Sequence, residues 1–473
     1  MKEQREENSY IPWQVKKFEE LENTSESIYF DVDDFEEIVD FYVSRGNYNR
    51  ALKVVDYALN LHGNSTPLTL RKAQLLASLN REDKALELLN KLETIDTDEP
   101  DIMLTKAAIY SQQQKFEKAI EEYKKALKDN DDQDYLHVNI AFEYQNLGNF
   151  AKTLEHLQAA LDINPDNDLA IYEAAYCFDL LSLTEESVDF FLELVNKNPY
   201  SVEAWFNLGV SYINSNLFEK AIESLDYALA IDPEHEPSWF HKGYAYSLLG
   251  KFNEALDAYH QSISENESDG MKFYYIGECY EKNSDYPNAS KYYHKAIKTD
   301  PSIVDAWMGI GVCELETGNT QKAIKYLERG LELDPENPGY LCLVGDAYLS
   351  AGLEKQGIEA FEKAIEADAD DEETWIEYGE AIWNYGNTKE AIKIARRGVE
   401  QAEQSASLKY RLAAYLLLSN IVADGKLFLT VALETDKNGV KDMLKTFPAL
   451  FDNPSFWEVI DFMDDETLDL SRS

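Results

Sequence analysis

Apolar residues recur at i, i+3, i+4 and i+7 through most of the chain, in stretches of roughly fourteen residues parted by short polar turns. Each stretch predicts one amphipathic helix. The stretches come in pairs, and the pairs return at a fixed spacing. Trp205, Trp239, Trp307 and Trp375 are separated by 34, 68 and 68 residues, all multiples of 34. With Trp205 at position 4, one unit spans 202–235. Stepping by 34 in both directions gives eleven units without insertion or deletion: 32–65, 66–99, 100–133, 134–167, 168–201, 202–235, 236–269, 270–303, 304–337, 338–371 and 372–405. A fixed period of this length is the mark of a solenoid.

Two columns of the period are small. Position 8 runs from Val39 through Ala73, Ala107, Ala141 and Ala175 to Gly209, Gly243, Gly277, Gly311, Gly345 and Gly379. Position 20 is alanine in most units, from Ala51 to Ala391. Small residues there predict close approach of two helix backbones. Position 11 is often tyrosine (Tyr42, Tyr110, Tyr144, Tyr212), and position 24 is often large (Tyr123, Phe191, Tyr259, Tyr293, Phe361). Position 32 is proline at Pro165, Pro199, Pro233, Pro301 and Pro335, where it follows a helix end and stops continuation. The spacing predicts helix A over positions 1–14 and helix B over positions 17–30, with Pro287 in the first turn of a helix B.

Trp, Leu-Gly, Tyr, Ala, an aromatic, Ala and Pro at positions 4, 7–8, 11, 20, 24, 27 and 32 resemble the tetratricopeptide repeat (TPR) family, in the bacterial form that consists of repeats alone. Unit 202–235 carries Trp205, Leu208, Gly209, Tyr212, Ala221, Ala228 and Pro233, departing only with Leu225 at position 24. The resemblance covers residues 32–405. It implies an all-α fold, a right-handed superhelical solenoid of antiparallel helix pairs with helices A lining a concave groove. Residues 406–439 look like a worn twelfth unit that keeps Leu412, Ala413, Leu416 and Gly425 near register; the tail 440–473 loses it. A solenoid needs caps, because each repeat buries its faces only against neighbours. Residues 1–31, around "IPWQVKKFEELE", are expected to form a partly flexible N-terminal cap. "MLKTFPALF" and "FWEVIDFM" are expected to be C-terminal capping helices, followed by an acidic tail. A rival role for that tail is docking into a groove through Phe447, Phe451 and Trp457.

The resemblance implies that positions 2, 5, 9, 12 and 13 of helix A face the groove, with position 6 near it. Those columns put Tyr135, Phe142, Tyr172, Tyr176, Phe206, Phe240, Tyr244 and Tyr274 along its middle, with Asn139 and Asn207 beside them at position 6. Acidic residues mark the ends: Asp33, Glu36 and Asp40 on one side, Asp346, Glu373 and Glu380 on the other. The aromatics either pack against neighbouring helices or anchor a bound peptide or helix. Each aromatic anchor would bury about 150–250 Å2. Asn139 and Asn207 either clamp a peptide backbone or are solvated polar residues. Glu173, His241, Tyr275 and Gly309 interrupt any full asparagine ladder. No three consecutive units supply the family's lysine-asparagine carboxylate clamp.

Charge narrows the partners. The 473 residues include 89 acidic and 44 basic ones, for a net charge of −45. Such a chain repels nucleic acid and anionic membrane surfaces and favours partners bearing Lys or Arg. The start "MKEQREENSYIPWQ" has no signal-peptide core, and no run reaches transmembrane length, so a cytoplasmic protein is expected.

Reactive chemistry is sparse. Cys177, Cys279, Cys313 and Cys342 form no CxxC pair, which predicts neither disulfides nor a zinc site. The first three fall at position 10 and are expected as buried thiols. The seven histidines share no repeat position. "GIGVCE", residues 309–314, lacks the third glycine and the preceding strand of a dinucleotide loop. The acidic runs at 129–134 and 366–373 read as solvated loops between repeats. The expectation is a non-catalytic scaffold or adaptor without cofactor or metal, monomeric or dimeric, binding an apolar peptide or helix flanked by Lys or Arg. The alternatives are a chaperone-like assembly factor with many clients and a self-associating structural protein.

Overall fold

The computed structural model describes residues 11–21, 29–95, 99–128, 132–264 and 268–462. The opening decapeptide, residues 129–131 of the first acidic run and the acidic tail from 463 onward lie outside the described residues. The described residues form α-helices and one 3-10 turn, with no strand among them. The chain divides into two compact units, Met1–Pro233 and Glu234–Ser473.

In the first unit a short helix, Trp13–Leu21, lies against Val32–Val43. Its Val15 and Phe18 are buried with Phe30, Phe35 and Ile38, and Tyr42 Oη donates to Glu19 Oε1 at 2.8 Å. Six antiparallel pairs follow, from Val32–Val43 with Tyr48–Leu61 to Val202–Asn214 with Phe218–Ile231. The second unit holds six more, from Glu236–Leu248 with Phe252–Gln261 to Ala406–Leu418 with Val422–Thr435. In most repeats position 34 caps the next helix A. Ser201 Oγ accepts from Ala204 N at 3.2 Å, Asn167 Oδ1 from Ala170 N at 3.0 Å and Ser405 Oγ from Leu408 N at 3.0 Å.

Every described residue with positive φ falls at position 15, just past helix A, from Asn80 at 54° to Gly386 at 95°. Here the chain reverses through a left-handed residue closed by main-chain bonds. The amide of position 16 returns to the carbonyl of position 11, as in Asn149 to Tyr144 and Leu217 to Tyr212, both at 2.8 Å. Half of these residues are not glycine: Asn80, Gln114, Ser182, Asn216, Ser284 and Asn420 hold the same conformation.

The small columns have two different reasons. At position 20 a side chain and a backbone both crowd in: a β-carbon on Gly357 would sit 2.7 Å from Leu349 Cγ and 3.1 Å from the Gly345 carbonyl oxygen. At position 8 the neighbour is a side chain, the large residue at position 24. A β-carbon would meet Leu225 at 2.7 Å from Gly209, Tyr259 at 2.7 Å from Gly243 and Phe361 at 2.6 Å from Gly345. The expected backbone contact is thus replaced there by a ring or isobutyl group laid over helix A.

Three of the period-setting tryptophans tie their own helix A to the loop before it. Trp205, Trp307 and Trp375 donate Nε1–H to the carbonyls of Pro199, Pro301 and Ala369, at 2.9, 3.0 and 2.9 Å. In the first unit, the position 11 tyrosines also lie under a cation from position 19. Arg50, Lys118, Lys152 and Lys220 stand 5.5–5.7 Å from the rings of Tyr42, Tyr110, Tyr144 and Tyr212.

The C-terminal segment keeps more of the repeat than its sequence suggests. Helix Gly439–Thr446 starts one residue before the register's next position 1, and Pro454–Phe462 follows a 3-10 turn at Pro448–Asp452. Val440, Met443, Leu444, Phe447, Leu450, Phe456 and Val459 are buried in one cluster with Leu412, Tyr415 and Leu416. Trp457 repeats the tryptophan tie, donating to Phe451 O at 2.8 Å. Phe447 meets Tyr415 edge-on at 5.5 Å. The described part of the segment therefore packs against the helices of the preceding repeat.

Candidate functional site

The ten residues singled out from the sequence separate into distinct environments. In the first unit Tyr135, Tyr172 and Tyr176 are 56, 67 and 47% exposed. Phe142 and Phe206 are half-buried, Phe142 against the cluster that contains Val138 and Leu157. Two further residues complete the pattern. Leu169 and Leu180 are 44 and 52% exposed. Helix Asp168–Leu180 thus presents Leu169, Tyr172, Tyr176 and Leu180 on one face, at i, i+3, i+7 and i+11. These are positions 2, 5, 9 and 13. The reading from aromatics passed over the two leucines, although columns 2 and 13 named them. On the same helix-A positions of earlier repeats, Gln74, Ser78, Asp101, Leu104, Ala108 and Gln112 line a hollow of about 460 Å3.

In the second unit the aromatics pack instead. Phe240 lies 5.4 Å from Tyr259 and 5.5 Å from Tyr275, Tyr244 lies 5.6 Å from Tyr275, and Tyr274 lies 5.8 Å from Tyr293. All three are half-buried against core clusters. Position 5 is not uniformly a groove position either. Leu70, Val138, Met308, Cys342 and Ile376 are buried there. Met308 shows why: it lies over Gly330, whose added β-carbon would be 2.8 Å from Met308 Cε. Slim side chains sink between helices, and Tyr172 stays out.

The asparagines are already engaged. Asn139 Nδ2 donates to the Tyr135 carbonyl at 3.0 Å and Asn207 Nδ2 to the Glu203 carbonyl at 2.8 Å, each one turn back on its own helix. Asn214 Nδ2 donates to Asp179 Oδ1 at 3.1 Å.

The acidic ends carry counter-charges: Arg71 pairs with Asp40, and Arg411 Nε donates to Glu380 Oε1 at 2.7 Å. Asp346 keeps solvent contact but is crowded by the wall around it. That desolvation, then Glu377 and Glu380, pushes its carboxyl up to about 6. In the first unit His137 Nδ1 and His156 Nδ1 lie 2.9 Å apart. Burial, then His137 and Lys124, pushes His156 down to about 4. Among the described residues no group of three or more His, Cys, Asp or Glu is placed to hold a metal. All four cysteines are buried, and burial pushes Cys177 up to about 11 and Cys279 and Cys313 up to about 12, so these stay thiols. Residues 309–314 lie inside helix Val304–Glu316.

Family models described as tetratricopeptide repeat match residues 42–102, 100–128, 135–167, 202–235, 236–269, 280–338 and 338–371. The chain belongs to the tetratricopeptide repeat family. Among solved structures, this TPR chain is similar to the APC/C hetero-tetramer Cut9–Hcn1, with 15% identity and a TM-score of 0.42 over 82% of this chain and 90% of that one. It is also similar to YrrB, described as a TPR protein with an unusual peptide-binding site, with 21% identity and a TM-score of 0.34 over 38% and 93%. A tetratricopeptide repeat protein from Parabacteroides merdae gives 15% identity and a TM-score of 0.40 over 53% and 98%. No curated protein matches the TPR chain. Among its described residues no helix is long and apolar enough to cross a membrane.

Proposed function

We propose that this TPR chain is a non-catalytic protein-interaction scaffold that holds a peptide or helix segment of a protein partner on the helix-A face of its first unit. The observation that carries this reading is the ridge Leu169, Tyr172, Tyr176 and Leu180, four large apolar side chains exposed in line on one rigid helix. Apolar surface aligned on a packed scaffold, already ordered, gains most when a partner covers it. The acidic surroundings favour a partner segment with Lys or Arg beside its apolar anchors. Phe240, Tyr244 and Tyr274 serve packing in the second unit, and the binding role rests with the ridge.

The test is an affinity pull-down with mass spectrometry, comparing wild type with Tyr172→Ala/Tyr176→Ala. One or a few stoichiometric partners lost with the variant support the reading. Partners retained at full yield overturn the ridge as the site, and a long set of weak clients overturns the dedicated scaffold in favour of a chaperone-like factor.

A further inference from the structure

We infer that the segment held on the ridge is an amphipathic α-helix with Lys or Arg along its flanks, and not an extended strand; this rests on the ridge being the binding site. Three observations separate the two occupants.

The first is shape. Leu180 lies eleven residues beyond Leu169 on one helix, so the ridge is a straight line of about 16 Å. A second helix laid along it offers apolar side chains at i, i+3, i+4 and i+7 over three turns, which matches a line of that length.

The second is backbone hydrogen bonding. An extended segment leaves an N–H and a C=O at every residue for the wall to satisfy. The asparagine amides that would do so are each already partly committed. Asn139 and Asn207 donate to carbonyls of their own helices, Asn214 donates to Asp179, and Asn146 hydrogen-bonds with Glu143. A helix satisfies its own backbone and asks nothing of these groups.

The third is charge. Helices Gln133–Asn146, Asp168–Leu180 and Val202–Asn214 carry the carboxylates Asp134, Glu143, Asp168, Glu173, Asp179 and Glu203, and no Lys or Arg. Glu143 is buried; the others lie at or near the surface. Cationic flanks on the incoming helix complement this strip without burying a charge against the apolar line.

The probes are two synthetic peptides of about 18 residues with identical Leu, Ala and Lys content. One has leucines at helical spacing with lysines on the flanks, and the other alternates leucine and lysine. Binding to the full chain is followed by fluorescence anisotropy, for wild type and for Tyr172→Ala, Leu169→Ala and Leu180→Ala. Circular dichroism checks that each variant keeps its helicity. The helically spaced peptide is expected to bind at least about tenfold tighter than the alternating one and to lose about tenfold with Leu180→Ala or Leu169→Ala. If the alternating peptide binds as tightly, with the same dependence on Tyr172 and Leu180, the helical occupant is overturned and the ridge stands. If neither peptide's binding depends on the ridge residues, the ridge reading falls and this inference falls with it.

Discussion

Gly277 and Gly309 face opposite edges of the Tyr293 ring: a β-carbon on Gly277 would come within 2.6 Å of Cδ1, and one on Gly309 within 2.5 Å of Cε2. Gly277 belongs to the same repeat as Tyr293 and Gly309 to the next, so one buried ring spaces two successive helices A. Gly309→Ala is expected to destabilise the second unit by about 1–3 kcal/mol, because a rigid ring has nowhere to retreat. Chemical denaturation of the two proteins measures it. An unchanged midpoint would mean the ring does not set the spacing.

The left-handed turns should respond to glycine content. Gln114 holds φ at 58° and Gly318 at 81°, with open space around the latter. Gln114→Gly is expected to raise stability by about 0.5–1 kcal/mol and Gly318→Ala to lower it by about 1–2 kcal/mol, since only the conformational cost changes. Thermal melts of both variants give the signs directly.

Leu169→Ser and Leu180→Ser are expected to leave the melting temperature within the range of surface substitutions, about ±0.5 kcal/mol in stability. A loss of several kcal/mol would make these residues part of the core and remove the ridge from consideration.

Asp346 and His156 are expected to contribute to the acid response with opposite signs. Asp346 titrates near 6 in the folded chain, above its ordinary 3.8. Between those values the folded state binds the extra proton, so its contribution favours folding as pH falls through about 6 and is lost as pH rises through it. His156 titrates near 4, below its ordinary 6.5. There the unfolded state binds the extra proton, so its contribution is fully present above 6.5 and is lost as pH falls towards 4. Melting curves from pH 7.5 to 4.5 test both signs. Asp346→Asn is expected to remove part of the gain on acidification, and His156→Phe part of the loss. A variant whose pH profile superimposes on wild type removes that residue from the account.

Leu450→Ala is expected to cost the second unit about 2–5 kcal/mol, because Leu450 is fully buried in the cluster that the C-terminal segment shares with Leu412 and Tyr415. Urea unfolding measures it. A cost below about 1 kcal/mol would mean that the segment lies loosely on the last repeat.

Much of the fold was readable because a few residues have unmistakable geometry. Tryptophan at position 4 marks the period, proline at position 32 a helix end, and the small residue at position 8 a close approach, although what approaches is the side chain at position 24 and not the expected backbone. The left-handed position 15 stayed hidden because Gly, Asn, Gln and Ser all occupy it, and the signal lies in the backbone. Groove exposure was only partly readable. Met308 and Tyr172 share position 5, yet one sinks over Gly330 and the other stands in solvent. Burial there depends on what the facing helix offers, which no single column records. Leu169 and Leu180 were in plain view but lacked an aromatic ring to draw attention.

The turn after helix A is closed entirely by main-chain groups. Substitution at position 15 therefore changes how stable a repeat is but not how the chain reverses, since the bonds from position 16 to position 11 do not involve the side chain. A lineage of such repeats can drift at that residue, losing or regaining glycine one copy at a time, while the phase between copies is inherited intact.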